Sequence, residues 1–486
     1  MPTPNVNPAK TLAFEFLEKN RKAIALLGDS IFYFGELGMQ EYETVGLMTE
    51  LLEKGGFKIE RGISRIPTAF MATFGSGKPV IAIHTEFDAN PGNSQKSGVA
   101  ERAEIVEGGP GHCEGHNVNA AVMVSAALAI ARSMKNGGIK GTLKVFGAPA
   151  EEQVVSRPYF VRDGYFKDVD LALHDHIDRV LATEYGSLQS SLISVQFTFR
   201  GVSAHAATAP WMAKNALDAV SLMDIGMAHY REHFEPGMLA QRVITDGGDQ
   251  PNVIPAKATI WWYLRHAHAD GVRKLFERTK EIADGAALMT GTKVEVHYLS
   301  AVWPNRANQT VAEAIQGNVE LVGMPEWTAE EDALARALQK KAGVKEVGLG
   351  TETTPLKGPA KQRPSANDSG DVSWVVPTAQ IRYPSNIPNV PYHHWAGGVA
   401  LATSIAHKGA LAGAKVLAAT ALDFFASPQL IARAKETFKK EIGDVTYKPL
   451  LADDAPPPTH LNKEMMDAFR PKMKEHYLKE KPVFAE

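Results

Sequence analysis

Residues 187–304 contain four strand patterns and two helix patterns in the order β-α-β-β-α-β, and the chain on either side is built differently. "SLISVQFTFRG" sets apolar Ile193, Val195, Phe197 and Phe199 at alternate positions, the two-residue period of a strand with one covered face. A helix pattern follows at "NALDAVSLMDIGMAHYREHF", then strands at "MLAQRVITDGG" and "KATIWWYLRHA". A helix at "GVRKLFERTKEIADGAALMTG" and a strand at "KVEVHYLSAV" close the run. This is the split arrangement of a ferredoxin-like domain. It is inserted into another domain, because α/β material precedes it and resumes after it. At 486 residues the chain is too long for one core, and the patterns divide it as 1–186, 187–304 and 305–486.

The first segment alternates helices and strands. Helices are expected from about Pro8 to Leu27 and from Tyr42 to Lys54, and apolar strands at Pro79–Phe87, Thr142–Pro149 and Asp170–His176. "NAAVMVSAALAIARSM" is a helix between the first two strands. Such alternation indicates an α/β unit with functional side chains where strands end. Residues 341–371 read as a long loop, and a last long helix runs from about Gly398 to Phe425. A net charge of −3 without a large basic block gives no electrostatic reason to expect nucleic acid or an anionic membrane as partner. No basic segment with an apolar run opens the chain, and no unbroken apolar stretch reaches the roughly 20 residues of a membrane span. A single cysteine fits a reducing compartment, so a cytoplasmic location is expected.

Chemistry-bearing residues recur at the strand ends. "HTEFD" closes the first strand, "GHCEGHN" opens a helix, "PAEE" closes the second strand and "LHDHID" the third. "ANDSGD" and "VPYHHW" lie far downstream. Imidazoles and carboxylates gathered at one sheet edge suit borderline to hard divalent cations. Adjacent Glu151 and Glu152 supply the two carboxylates a metallohydrolase needs: one fixes the metal, the other takes a proton from the attacking water and returns it to the leaving amine. Each cluster alone has a bland reading, as a solvated glutamate pair or a hydrogen-bonded core histidine. Their coincidence points to a metal site.

In order along the chain, "PGHCEGHN", "GAPAEE", "GVSAHAATAPWMAKNALDAV", "DQPNVIPAKATIWWYLR", "NDSGDVSWVVPT" and "PYHHW" resemble the aminoacylase/carboxypeptidase-G metallopeptidases of the M20 family, specifically its amidohydrolase branch of aminobenzoyl-glutamate utilisation proteins. The resemblance implies a zinc-peptidase-like α/β catalytic domain carrying the insert as a lid and dimerisation domain. It implies two divalent metal ions, Mn²⁺ or Zn²⁺, and hydrolysis of an N-acyl or N-aroyl amino acid, or a small dipeptide. By matching positions, Glu151 is the general base and acid, and Glu114, His116, Glu152, His176 and His393 are metal ligands. His176 is placed there before His174, and His393 before His394. His205 matches a lid histidine that reaches across a dimer to stabilise the oxyanion, while Asn252 and Arg265 match positions that hold the substrate's carboxylate. Trp261 and Trp262 read as core and interface packing.

Two positions depart from that branch. Its usual cysteine, two residues before the ligand histidine, is here Glu114, and Cys113 sits one place earlier as a bystander unless the register shifts by one. A bridging carboxylate in place of a thiolate favours harder ions such as Mn²⁺. His84-Thr85-Glu86 resembles the H-x-D pair of the wider superfamily, which keeps His84 in reserve as a ligand. His112 reads as structural, holding the turn into the helix. A homodimer is expected, with a sister subunit as the other possibility. The rival functions are an aminohydrolase displacing an amino group at the same site, and a non-catalytic partner subunit.

Overall fold

The computed structural model describes residues 7–486. A hairpin of β1 (Lys58–Arg61) and β2 (Phe70–Ser76) starts a six-stranded sheet that β3 (Val80–Glu86), β4 (Gly141–Ala148) and β5 (Leu171–Asp178) extend. Every residue of β3 is buried, as expected for an apolar strand flanked on both edges by parallel partners, β4 and β5. Two alanine-rich helices, His116–Gly137 and Ser404–Ala426, pack on each other and on this sheet. By length and composition either could cross a membrane, but their most apolar stretches are 94% and 78% buried inside the protein.

The expected helix from Pro8 to Leu27 is two helices, Pro8–Lys19 and Arg21–Phe34. Asn20 separates them. Its Nδ2 donates to the Phe16 carbonyl (2.9 Å) and its Oδ1 accepts from the Ala485 amide (2.7 Å), so the side chain competes with helical backbone bonds.

The chain leaves the large sheet through β6 (Gly186–Ser187) and enters the insert. There β7 (Ser191–Arg200), β8 (Leu239–Asp246), β9 (Lys257–His266) and β10 (Lys293–Val302) form an antiparallel sheet in the order β10-β7-β9-β8. Helices Ala216–Tyr230 and Ala269–Thr290 contribute to one core with Ile193, Val195, Phe197, Phe199 and Trp262. Trp261 faces the other way and donates its Nε1–H to Ser194 Oγ (2.9 Å). Edge strand β8 leaves Leu239, Val243 and Ile244 exposed.

On return, β11 (Arg306–Ala307) pairs with β6, and β12 (Thr378–Pro384) completes the large sheet beside β5. Between them, residues 342–367 hold no helix or strand and lead into the 3₁₀ turn Asp368–Trp374. The C-terminal segment is ordered. Trp303 Nε1 donates to the Lys448 carbonyl (2.8 Å), Tyr159 Oη to that of Pro456 (3.2 Å) and Gln40 Nε2 to that of Leu461 (2.9 Å).

Candidate active site

The ends of β3, β4, β5 and β12 converge, and each delivers polar side chains by an identifiable local device. After β4 the chain turns through Glu151–Gln153, a 3₁₀ turn bracketed by Ala150 (φ 57°) and Val154 (φ 55°) in the left-handed region. That region is unfavourable for a β-branched residue, and such strain persists where surrounding contacts hold it. Here Glu41 Oε1 accepts from the Ala150 amide (2.9 Å). His116 opens its helix after Gly115 (φ 102°), where an added Cβ would lie 2.3 Å from Ile177 Cδ1. The turn is therefore set by Gly115. His112, read as holding this turn, is buried with its ring stacked near Phe32.

His116 is the centre of the cluster. Its Nδ1 is 3.2 Å from Asp88 Oδ1, leaving Nε2 toward the carboxylates, 3.8 Å from Glu151 Oε2 and 4.0 Å from Glu114 Oε2. His393 Nε2 stands 3.3 Å from both Glu114 Oε2 and Glu152 Oε2. Its backbone is also left-handed, at φ 53°. Neighbouring His394 instead accepts from the Ala396 amide through Nδ1 and caps a short helix. His176 hydrogen-bonds the Ile177 carbonyl through Nδ1 (2.7 Å), which leaves Nε2 available 3.6 Å from Glu86 Oε1.

Two triads share His116: Glu114–His116–Glu152, and Glu86–His116–His176, each with ligand atoms within 4.8 Å of one another. His84, the reserve ligand, belongs to neither. It is fully buried, stacked on His174 at 4.8 Å, and its Nδ1 accepts from Arg157 Nε (3.0 Å). His84 and Glu86 lie on one face of β3, but only Glu86, two positions farther along, reaches the cluster. His174 is held by Glu86 Oε2 (3.0 Å) and Gln380 Nε2 (3.1 Å) and does not enter either triad. Cys113 is buried outside the triads; its Sγ contacts Asn90 Oδ1 (3.1 Å), and burial with Glu152 and Glu114 nearby pushes its thiol well up.

Sequence reasoning names Glu86 only as the acidic partner of the His84-Thr85-Glu86 pair, not as a ligand, and does not single out Asp88 or Arg157. The spacing Glu86-Phe87-Asp88, two residues on from His84-Thr85-Glu86, carries the signal for Glu86 and Asp88. Arg157, with no exposed surface, pairs with both Glu86 and Asp368, and nothing in its surroundings along the chain marks it.

Burial and carboxylate crowding dominate the electrostatics. Burial and Glu86 push Glu151 well above the usual carboxylate range, and burial and Glu114 do the same to Glu152. Burial also opposes ionisation of Glu114, but the His393 hydrogen bond, with His116 and His176, holds it down to about 2. His393 is correspondingly raised to about 9 by Glu114. Buried His116 Nε2 and Glu152 Oε1 have no hydrogen-bond partner among the described residues. A buried carboxylate cluster with orphaned imidazole and carboxylate atoms is costly without cationic compensation, and an oxygen-rich, nitrogen-containing donor set is what hard to borderline divalent ions take. The residues fit the two metal ions.

The cluster opens into a cavity of about 480 Å³ lined by Tyr263, Arg265, Arg363, Asn367, Arg382 and Tyr392 besides the site carboxylates and histidines. Arg265, on β9 of the insert, projects into it with Nη1 near the Pro364 carbonyl (3.4 Å) and no acidic partner among the described residues. Arg363 and Arg382 share Glu184, at 2.7 and 2.9 Å. His205 and Asn252 do not reach this cavity. They sit exposed on the insert, where the Ala206 amide donates to the Asn252 carbonyl (3.0 Å) and His205 pairs with Val253.

Residues 189–288 match the model of a peptidase dimerisation domain, that of the M20 peptidases. The chain is 32% identical over 446 residues to a subunit of the p-aminobenzoyl-glutamate hydrolase of Escherichia coli K12, covering 86% of this chain and 92% of that protein. It is 25% identical over 450 residues to the Xaa-Arg dipeptidase of Mus musculus, covering 88% and 92%. Its fold matches the crystal structure of an aminobenzoyl-glutamate utilization protein from Klebsiella pneumoniae with a TM-score of 0.59 at 16% identity, over 84% of this chain and 97% of that one.

Proposed function

The chain belongs to the M20 family of metal-dependent amide hydrolases, and from that premise we propose that it cleaves the amide of an N-acyl or N-aroyl amino acid that retains a free carboxylate. One observation carries the reading: Glu151 and Glu152 are presented side by side by a strained turn, between the shared histidine His116 and a cavity whose far wall holds Arg265.

Glu114, His116, Glu152, His176 and His393, joined by Glu86, would hold two divalent ions. When bound, these polarise the scissile carbonyl and lower the pKa of water. The rich carboxylate complement favours Mn²⁺ over softer ions, with Zn²⁺ the alternative. Glu151 takes the proton of the attacking water on Oε2 and delivers it to the departing amine. Asp88 fixes the tautomer and plane of His116, as a carboxylate behind a ligand histidine does. Arg265, free of any acidic partner among the described residues, receives the substrate carboxylate. Tyr263 and Tyr392 give the acyl or aroyl group flat walls. With no carboxylate to receive a cation on the arginine wall beyond those already paired, an acidic amino-acid product such as glutamate is accepted and a basic one repelled.

The exposed His205 and Asn252 take a role when the inserts of two protomers pair and each insert offers them to the other protomer's cavity. The E. coli relative is one subunit of a hydrolase, so a sister chain could fill that place. Incubating Mn²⁺- and Zn²⁺-loaded protein with p-aminobenzoyl-glutamate, other N-acyl amino acids, dipeptides and amino-aromatics, with products read by mass spectrometry, tests the reading. Release of a free amino acid, lost in Glu151→Gln, is the expected result. Ammonia without an amino acid makes it an aminohydrolase, and no turnover of any class by metal-loaded protein removes the hydrolase reading.

A further inference from the structure

We infer that Asn367 is a positioning residue that holds the general base Glu151, and that it does so from a segment fastened to both crossings by which the chain enters and leaves the insert. This rests on Glu151 being the proton carrier proposed above.

Asn367 Nδ2 donates to Glu151 Oε1 at 2.5 Å, a buried contact between groups 216 residues apart in sequence. Glu151 has one other oxygen, Oε2, and that atom faces His116 Nε2. The donor therefore occupies one carboxylate oxygen and leaves the second directed at the reacting centre. A buried hydrogen bond of this kind fixes a rotamer as well as satisfying the carboxyl oxygen it reaches. A glutamate has three rotatable side-chain bonds, and a general base must be held within hydrogen-bond reach of the proton it abstracts.

The asparagine cannot drift, because each part of its segment is tied. Its own Oδ1 accepts from the Ser369 amide (2.8 Å). Asp368 is bound by Arg157, through the guanidinium and through the Arg157 amide (3.0 Å), and by Ser156 Oγ (3.2 Å). Asn305 Nδ2 donates to Ser369 Oγ (2.7 Å), and the Trp303 amide donates to Asp371 Oδ2 (2.9 Å). Trp303 and Asn305 lie just after β10, where the chain leaves the insert. On the entering crossing, the Ser190 amide donates to the Ser365 carbonyl (2.8 Å), and the amides of Leu188 and Gln189 to that of Asn305 (2.8 and 3.2 Å). The same short segment thus touches both crossings of the insert and, through one side chain, the base.

The test compares steady-state hydrolysis of p-aminobenzoyl-glutamate by metal-loaded wild type, Asn367→Ala, Asn367→Asp and Glu151→Gln, with metal content and thermal midpoint measured on each. Loss of the donor lowers kcat by about 10–100-fold, the usual penalty for removing a group that orients a site residue, with KM little changed. Asn367→Asp keeps the shape but places a carboxylate against Glu151, so it falls below Asn367→Ala; a residue serving only by its shape would tolerate it. Unchanged kcat in a folded, metal-loaded Asn367→Ala, or wild-type kcat in Asn367→Asp, overturns the inference and leaves the proposed function standing. Wild-type rates in Glu151→Gln overturn the function itself.

Discussion

Glu114 and Cys113 are adjacent in sequence and opposite in situation. Glu114 belongs to a triad with His116 and Glu152, whereas the Cys113 thiol is sealed against Asn90 and kept protonated by burial. Because a thiol binds metal as the thiolate, Glu114→Ala should strip most bound metal on gel filtration, while Cys113→Ala retains it, measured by inductively coupled plasma mass spectrometry. The reverse pattern would place the ligand at Cys113. Arg157 carries a different burden. It lies between Glu86 and Asp368 with no exposed surface, so Arg157→Met leaves two buried carboxylates without their cation. Removing one partner of a buried ion pair costs about 3–5 kcal/mol, and a clear drop in thermal midpoint is expected. The substitution takes the guanidinium from Asp368, next to Asn367, and leaves it only the Arg157 amide and Ser156 Oγ, so the loss of activity should exceed the loss of folded protein. Glu86 and His84 show what the sequence of a strand leaves open. The two-residue period puts both on one face, and only the depth of β3 in the sheet decides which reaches the edge.

At the scale of elements, the 3₁₀ segment Asp368–Trp374 joins sheet, insert and C-terminal segment. Asp371 accepts from the Trp303 amide and from Tyr447 Oη (2.7 Å), and burial raises its carboxyl to about 7. Its folded pKa lies above the unfolded value, so the folded chain binds the proton more tightly. The stabilisation is full below about pH 4 and is lost progressively as the pH rises through 7. Chemical denaturation at pH 5 and pH 8 should show this contribution falling, and Asp371→Asn, which stays neutral, should flatten it. An Asn with no effect on the slope would show that Asp371 is ionised in the fold at both pH values. Strands of the insert are legible because their apolar residues alternate, and β3, β4 and β5 because they are apolar runs bounded by turns. The hairpin β1–β2 is not, since "KIER" is short and largely exposed, with no covered face to write a period. β12 does carry the two-residue period: buried Ala379, Ile381 and Tyr383 alternate with Gln380 and Arg382, which line the cavity. The break at Asn20 depends on Ala485, a partner no local window contains.

For the whole molecule, the arrangement leaves one set of groups without work inside a single chain. His205 and Asn252 are exposed on the insert, away from the cavity, while Arg265 on the same insert reaches it. The insert also exposes Trp211, Met212, Leu288 and Met289, and edge strand β8 shows Val243 and Ile244. Apolar surface of this kind on a dimerisation domain is what a second chain would cover. If His205 of one protomer serves its partner's cavity, each catalytic centre takes Glu151 from one chain and His205 from the other. His205→Ala should then be severely impaired alone, since an oxyanion donor contributes about 3–4 kcal/mol, and Glu151→Gln should be inactive alone. Mixing the two variants under conditions that exchange subunits produces heterodimers with one intact centre, in which Glu151 of the His205→Ala chain faces His205 of the Glu151→Gln chain. Activity should return on mixing and rise with the fraction of heterodimer, followed by native mass spectrometry. A histidine acting on its own chain would leave both centres of that heterodimer crippled, one without its base and the other without its donor, so a mixture no more active than its parts would remove the shared site.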